Sequence, residues 1–326
     1  MTKLGYAAIS FLMASTAHAQ SDSLSVAMLL AGNIEDNGFM EAGYNGLLKI
    51  QEEFGAKISY IDKIEPEPEQ LAAALRRLAQ DGPDMVIAHG GQNNQAAQQV
   101  SAEFPEIAFV VVQGNVTGPN LSSYEVLQEE SAWLGGAAAG LLTKTDVVGH
   151  ISGIRVTPGL KGRGGFYNGL MHTNPDAKFL TIFAGNQDDN ELSERVAKAQ
   201  MEQGADYIFT MLNAGRQGAT DAMRGTSTRQ FGNVIDWTTV EPEVFAGSAI
   251  ADVSIPSVEA VQDYTTGNWK PGVVKAIGLE NPTAVSLTLA DDVPAEIKSQ
   301  IEELKQKIIR DEIEVSTEYD GPEMAP

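Results

Sequence analysis

Short apolar, β-branched runs alternate with longer stretches of helical period along almost the whole chain, and nothing else restricts the fold as strongly. Parallel strands need a long crossover, usually a helix, so this rhythm reads as βαβ units around parallel sheets. Strands are expected at Ser25 to Leu30, Lys57 to Ile61, Met85 to His89, Ala108 to Gln113, Val147 to Ser152, Lys178 to Phe183, Tyr207 to Met211 and Gly232 to Asp236. Helices are expected at Met40 to Phe54, Glu69 to Gln80, Asn94 to Phe104, Glu130 to Leu142, Gly164 to Thr173, Leu192 to Gln203 and Gln217 to Arg224. The strands form two sets of four, parted by the polar stretch Gly114 to Glu130, in which Leu121 to Tyr124 reads as a short crossing strand. Two similar lobes follow. A further crossing at Ser248 to Val253, a helix at Ser257 to Thr265, a strand near Val273 to Gly278 and an amphipathic helix from Ala295 to Arg310 take the chain back to the first lobe and out again, which makes a multi-strand hinge.

The leader places the chain. Lys3, the apolar run Leu4 to Met13 and the small-residue end Ala17-His18-Ala19 make a secretory signal peptide cleaved before Gln20, too short to span a bilayer. With no cysteine in the sequence there is neither a disulfide nor a lipid-bearing N-terminal thiol, so a free exported protein held by a large packed core is expected. The net charge of −22, with basic residues scattered, repels a phosphate backbone; nucleic acid is not an expected partner.

In parallel sheets ligands bind beyond the carboxyl ends of the strands, so two facing lobes set two rims around one cleft. These ends contain His89, Gln92, Gln113, Asn213, Asp236 and Trp237 among glycines and amides, a set suited to a small polar ring rather than a phosphate or a metal. Catalytic patterns fail in turn. The three histidines of the mature chain show no HExxH spacing, and His150 and His172 read as structural; His89 closes a strand and either faces the cleft or is a bonded core residue. Gly149-His150-Ile151-Ser152-Gly153 puts serine one place late for GxSxG, and Gly162-Arg163-Gly164-Gly165 lacks P-loop spacing and reads as a flexible lead into a helix. Asp188-Asp189-Asn190 reads as a helix N-cap. No enzyme, metal or cofactor is expected.

Gly32-Asn33-Ile34-Glu35-Asp36-Asn37-Gly38-Phe39 with Gly46-Leu47 resembles the first loop and helix of the basic membrane protein family, substrate-binding proteins of ATP-driven importers, of which the best understood bind purine nucleosides. Glu129-Glu130-Ser131-Ala132-Trp133-Leu134-Gly135-Gly136, Gly165-Phe166-Tyr167-Asn168-Gly169, Asn174-Pro175-Asp176 and Gln203-Gly204-Ala205-Asp206-Tyr207-Ile208-Phe209 resemble further segments of that family in the same order, from about Ser25 to Gly321. The resemblance implies a type I periplasmic binding fold: two Rossmann-like α/β lobes with parallel sheets, joined by a three-crossing hinge. The first lobe is expected at 24–125 with 250–276 and the second at 126–249 with 277–318, after the 1–19 leader, and the polar, proline-containing end of the chain reads as a loosely held tail at 319–326.

Through the resemblance Phe39 falls on the aromatic that stacks on the ligand ring, and Asp236 on a strand-end acid that contacts the ligand. Gln113, Met40 and Ala251 stand where the family has an acid, an asparagine and a lysine. The candidate ligand contacts are therefore Phe39, Asp236, Gln113, Trp237, Asn213, Gln92 and Asn37. From the residues alone, Phe39 also reads as a staple against its own helix, though its place beside Gly38 at a strand-end rim favours the pocket, and Asp236 reads either as a cap for the next segment or as an acid at the cleft placed to accept from a ligand N–H or O–H. The expected partners are a small-molecule ligand, a purine nucleoside or nucleobase first, and the permease of an importer in the inner membrane, with the chain monomeric in the periplasm. A sensor co-receptor or a binder of a sugar or another heterocycle is the alternative.

Overall fold

The structure, a computed structural model, describes residues 23–36 and 38–325; the leader with its cleavage point and Asn37 lie outside the described residues. In chain order the elements are β1 (Ser25–Leu30), α1 (Phe39–Phe54), β2 (Lys57–Ile61), α2 (Pro68–Gln80), β3 (Met85–His89), α3 (Asn94–Glu103), β4 (Ala108–Val112), β5 (Leu121–Val126), α4 (Gln128–Leu142), β6 (Val147–Ser152), α5 (Thr157–Thr173), β7 (Lys178–Phe183), α6 (Asn190–Glu202), β8 (Tyr207–Met211), α7 (Arg216–Met223), β9 (Arg229–Val234), β10 (Phe245–Ala251), α8 (Ile255–Thr265), β11 (Val274–Ile277), β12 (Val285–Leu289) and α9 (Ala295–Ile309).

Two six-stranded sheets result, in the orders β2-β1-β3-β4-β5-β11 and β7-β6-β8-β9-β10-β12, so the same winding is used twice. Every neighbouring pair runs parallel except β10 with β12. β3 and β4 are buried at every residue, which is why Met85–His89 and Ala108–Val112 are continuous apolar runs rather than alternating ones. Edge strand β2 has no buried residue and exposes Lys57, Ser59 and Tyr60.

The chain passes between the sheets three times: from β5 into α4, from β10 into α8, and from β11 to β12. Glu130, in the first turn of α4, ties the first passage to the third, its Oε2 accepting the Leu279 N–H at 2.8 Å. Burial pushes its carboxyl up to about 7 even though that bond favours the charged form.

Three local expectations are corrected. β9 starts at Arg229 and stops at Val234, which takes a left-handed φ of 70° and turns the chain out of the sheet, so Asp236 lies two residues beyond the strand instead of closing it. Helix α5 begins at Thr157, seven residues earlier than expected, and Gly162 to Gly165 lie inside it rather than leading into it. Glycines belong there because α5 packs backbone to backbone: a Cβ on Gly164 would overlap the Thr317 carbonyl, and one on Gly165 the Glu129 carbonyl. The expected N-cap at Asp189 is present, its Oδ1 accepting the Leu192 N–H at 2.9 Å.

After α9 the chain lies along the second lobe. Asn168 donates to the Ser316 and Glu318 carbonyls, the Met324 N–H donates to Thr181 on edge strand β7 at 2.8 Å, and Glu323 pairs with Arg155 and Arg163. The tail thus meets that lobe through its own backbone groups and the Glu323 carboxylate.

Candidate functional site

The β1–α1 loop is shaped by one carboxylate. Asp36 accepts the N–H groups of Gly38 (2.9 Å), Met40 (3.1 Å) and Glu41 (3.1 Å), filling the donor-rich start of α1 and fixing where Phe39 enters the helix. Phe39 is half-buried. Its carbonyl accepts from Nε2 of His89 at 2.9 Å, and the two rings lie with centroids 4.3 Å apart. His89, at the end of β3, is fully buried, and burial draws its pKa down to about 4, so the ring is neutral at physiological pH with its proton assigned to Nε2. Nδ1 has no partner.

Behind that ring sits Gly43 of α1, where a Cβ would come within 2.6 Å of the His89 Cδ2. A buried ring in a close-packed site cannot step aside. Gly43→Ala is therefore expected to cost about 1–3 kcal/mol in urea denaturation and to weaken ligand binding by displacing Phe39. Unchanged stability and binding would show that His89 does not position it.

Phe39 also packs against the apolar cluster that runs from the crossings into the second lobe, so it bridges the two halves. Beside it the rims meet: a Cβ on Gly38 would lie 2.8 Å from Oδ1 of Asn213, in the β8–α7 turn of the opposite lobe. That turn is held by the Asn213 and Gly215 N–H groups, both donating to Gln187 O, and by the Arg216 N–H, donating to Asn213 O at 3.0 Å.

The other predicted residues fall into two groups. Asp236 and Trp237 follow β9 in a bonded corner. Oδ1 of Asp236 accepts from the Thr238 N–H (3.0 Å), the Thr238 hydroxyl (2.6 Å) and the Thr288 hydroxyl (2.9 Å), and no hydrogen bond to Oδ2 is found among the described residues. Trp237 donates its N–H to Ser248 and its Nε1–H to Asn233 O, each at 2.9 Å. Gln113 and Gln92 turn back on their own lobe. At a left-handed φ of 56°, Gln113 accepts the Val126 N–H at 2.6 Å with Oε1 and reaches the Val126 carbonyl with Nε2 at 3.4 Å. Gln92 is exposed, with Nε2 at 3.4 Å from His89 O. Asn37 lies outside the described residues.

A separate groove of about 520 Å3 opens beside α1 and β9, lined by Asn45, Leu48, Lys49, Ile235 and Asp252 among others, and none of the predicted residues lines it. Among the described residues no cluster of three or more potential metal ligands occurs. One serine–histidine pair does: Ser152 Oγ lies 2.9 Å from Nε2 of His150, whose Nδ1 meets the Thr181 hydroxyl at 2.8 Å. All three side chains are buried, the third partner is no acid, and burial, then the charge of Arg163, draws the His150 pKa down to about 3. The trio binds β6 to β7, and no substrate carbonyl can reach Ser152.

Residue reasoning missed Asp36, Gln187 and Arg216. Asp36 had a usable signal, an acid just ahead of a helix, and Gln187 lies in a strand-end stretch; Arg216 had none.

Comparison with known proteins agrees with this architecture. Residues 23–318 match the family model described as ABC transporter substrate-binding protein PnrA-like, the Bmp family. The chain is 26% identical over 301 residues to basic membrane protein A1 of Borrelia garinii subsp. bavariensis, covering 90% of this chain and 88% of that one. It is 24% identical over 302 residues to a purine-binding protein of Brucella abortus, with 89% and 85% covered. A solved ABC transporter solute-binding protein from Aeropyrum pernix K1 superposes with a TM-score of 0.77 at 20% identity, covering 91% of this chain and 94% of that one, which speaks to the fold alone. With nearly the whole described chain matched and two parallel-sheet lobes behind it, this chain belongs to the Bmp family of PnrA-like ABC transporter substrate-binding proteins.

Proposed function

We propose that the chain is an exported binding protein, freed by cleavage before Gln20, that closes its two lobes on a purine nucleoside or nucleobase and delivers it to the permease of an ABC importer. The observation that carries this reading is the presentation of Phe39: Asp36 and His89 hold it at the rim of one lobe, and its neighbour Gly38 abuts Asn213 of the other. An aromatic face set between two rims suits a flat heterocycle. The purine-binding relative at 24% identity supports the same class. Ligand contacts drawn from both rims exist only when the lobes are closed, so binding shifts the population toward that form, and a docking permease reads it.

Asp236 is the acid of the site. Three donors already satisfy its Oδ1, leaving Oδ2 to accept from a ligand N–H or O–H. Asp236→Asn keeps an oxygen for those donors and removes the charge. It is expected to fold normally and to bind about ten- to a hundredfold more weakly, since a charge-assisted hydrogen bond contributes about 1.5–3 kcal/mol. Calorimetry showing unchanged affinity would reduce Asp236 to a loop cap.

Delivery is tested with the importer in vesicles. Purine-loaded protein should stimulate ATP hydrolysis above the ligand-free level. Purine binding without stimulation by any permease of the same cell would favour a sensor co-receptor instead.

A further inference from the structure

Arg216 stands apart from the other arginines of the described chain. The non-exposed ones, Arg76, Arg163 and Arg229, each pair with a carboxylate, Glu103, Glu323 and Asp292. Arg77 and Arg195, which make no such pair, are exposed. Arg216 is half-buried and has neither an ion pair nor a hydrogen-bond acceptor for its guanidinium among the described residues. Its guanidinium carbon lies 3.3 Å from the centroid of the Trp237 ring. Burial draws its pKa down to about 10, only partly opposed by Glu241, whose carboxylate is bonded to Arg224 at 2.6 Å.

The tryptophan is a fixed platform. Its backbone and indole N–H groups are both bonded, and Phe245 stacks on it with centroids 5.7 Å apart. A guanidinium lying on that ring has one face covered, so its N–H fork points outward in its own plane, the geometry that matches two adjacent acceptor atoms. The backbone of Arg216 also stands at the site. The Arg216 N–H closes the turn on Asn213, whose side chain abuts Gly38 next to Phe39. Among the described residues none of the Arg216 guanidinium nitrogens is both sealed from water and unpartnered, so a ligand with paired acceptors would replace water on a fork that no protein acceptor holds.

A carboxylate or a phosphate offers a matching pair as an anion, and the O6/N7 edge of a 6-oxopurine, the edge that arginine reads in guanine, offers one on a neutral ring. Asp188, Asp189 and Asp236 follow strand ends of the same lobe, Asp188 bonded to the Ala214 N–H and Asp189 capping α6, and they oppose a full anion while tolerating a neutral ring. We propose that Arg216 is a specificity residue that reads the paired acceptors of a 6-oxopurine, so that this chain prefers guanine- and hypoxanthine-type rings to adenine, whose N6 amine places a donor against the fork. The inference rests on the purine reading above and names its subclass.

The test is calorimetry on the full chain with guanosine, inosine, adenosine and benzoate, for the unmodified protein, Arg216→Gln and Arg216→Lys. The unmodified protein should bind guanosine and inosine at least about tenfold more tightly than adenosine. Arg216→Gln should abolish that preference, with adenosine affinity held or raised, since a glutamine amide can pair with adenine N6 and N7. Arg216→Lys, which keeps the charge and most of the stem but not the fork, should lose most of the preference too, and it serves where the glutamine variant does not fold. Equal binding of adenosine by the unmodified protein, or a preference that survives both substitutions, overturns the inference and leaves the purine reading standing. Benzoate bound more tightly than inosine through Arg216 overturns it in favour of a carboxylate ligand. Absence of binding by every purine overturns both.

Discussion

Replacing Gly169 by alanine is expected to destabilise the protein by about 3 kcal/mol or more, the top of the range for overpacked cores, and a large share of the roughly 5–15 kcal/mol that holds a typical domain. Helices α4 and α5 cross with their backbones in contact. A Cβ on Gly169 would overlap the Trp133 carbonyl oxygen and lie 3.0 Å from the Ala137 nitrogen, while one on Gly136 would overlap the Phe166 carbonyl and lie 2.9 Å from the Leu170 nitrogen. The obstacles are backbone atoms, so relief requires the helices to separate and loosen the buried side chains of Trp133, Phe166 and Leu170. Gly135 supplies the control. A Cβ there meets nothing nearer than 3.7 Å, so Gly135→Ala should be neutral or stabilising by up to about 1 kcal/mol through helix propensity. Urea denaturation of both variants decides the matter, and equal effects would refute the close-crossing account.

Phe39→Ala is expected to weaken ligand binding about tenfold or more, because base–aromatic stacking contributes roughly 1–3 kcal/mol per ring. The alanine variant alone does not separate a stack from a staple, since Phe39 also packs against the hinge-side apolar cluster. Phe39→Leu does. Leucine retains most of the apolar contact and loses the π face, so it should keep the urea midpoint close to that of the unmodified protein and still lose most of the affinity. Full binding by Phe39→Leu would return Phe39 to the core and move the ligand elsewhere along the rims.

Much of the fold was legible because parallel strands covered on both faces leave an unbroken apolar signature, as in Met85–His89 and Ala108–Val112, where pattern and burial coincide. The misreadings have a common cause: tertiary contacts override local preference. Gly162 to Gly165 look helix-breaking, and each glycine does cost a helix about 1 kcal/mol, yet they allow the backbone contacts of α5 with the tail and α4. The polar start of β9 lacks the apolar run of a strand, but Arg229 is bonded to Asp292 and to the Pro242 and Phe245 carbonyls, and Gln230 to Thr210, partners distant in sequence. Edge strand β12 went unseen because Val285–Leu289 is only half-buried and pairs antiparallel with β10.

The candidate site was less legible than the fold. Phe39 was visible through its motif. Gln113 has a suitable side chain at a suitable strand end, but a left-handed φ sends its amide to Val126, and no pattern in a single sequence announces that turn. Arg216 is marked only by what fails to approach its guanidinium, a property of the folded chain.

The central claim is that the closed cleft holds a purine and does not alter it. Titration of the purified full chain with a panel of purine nucleosides and nucleobases in a calorimeter, followed by chromatography of the recovered ligand, tests it directly. The account predicts saturable binding of one purine per chain with every recovered molecule unchanged. Absence of binding across the panel, or recovery of separated base and sugar, would contradict it.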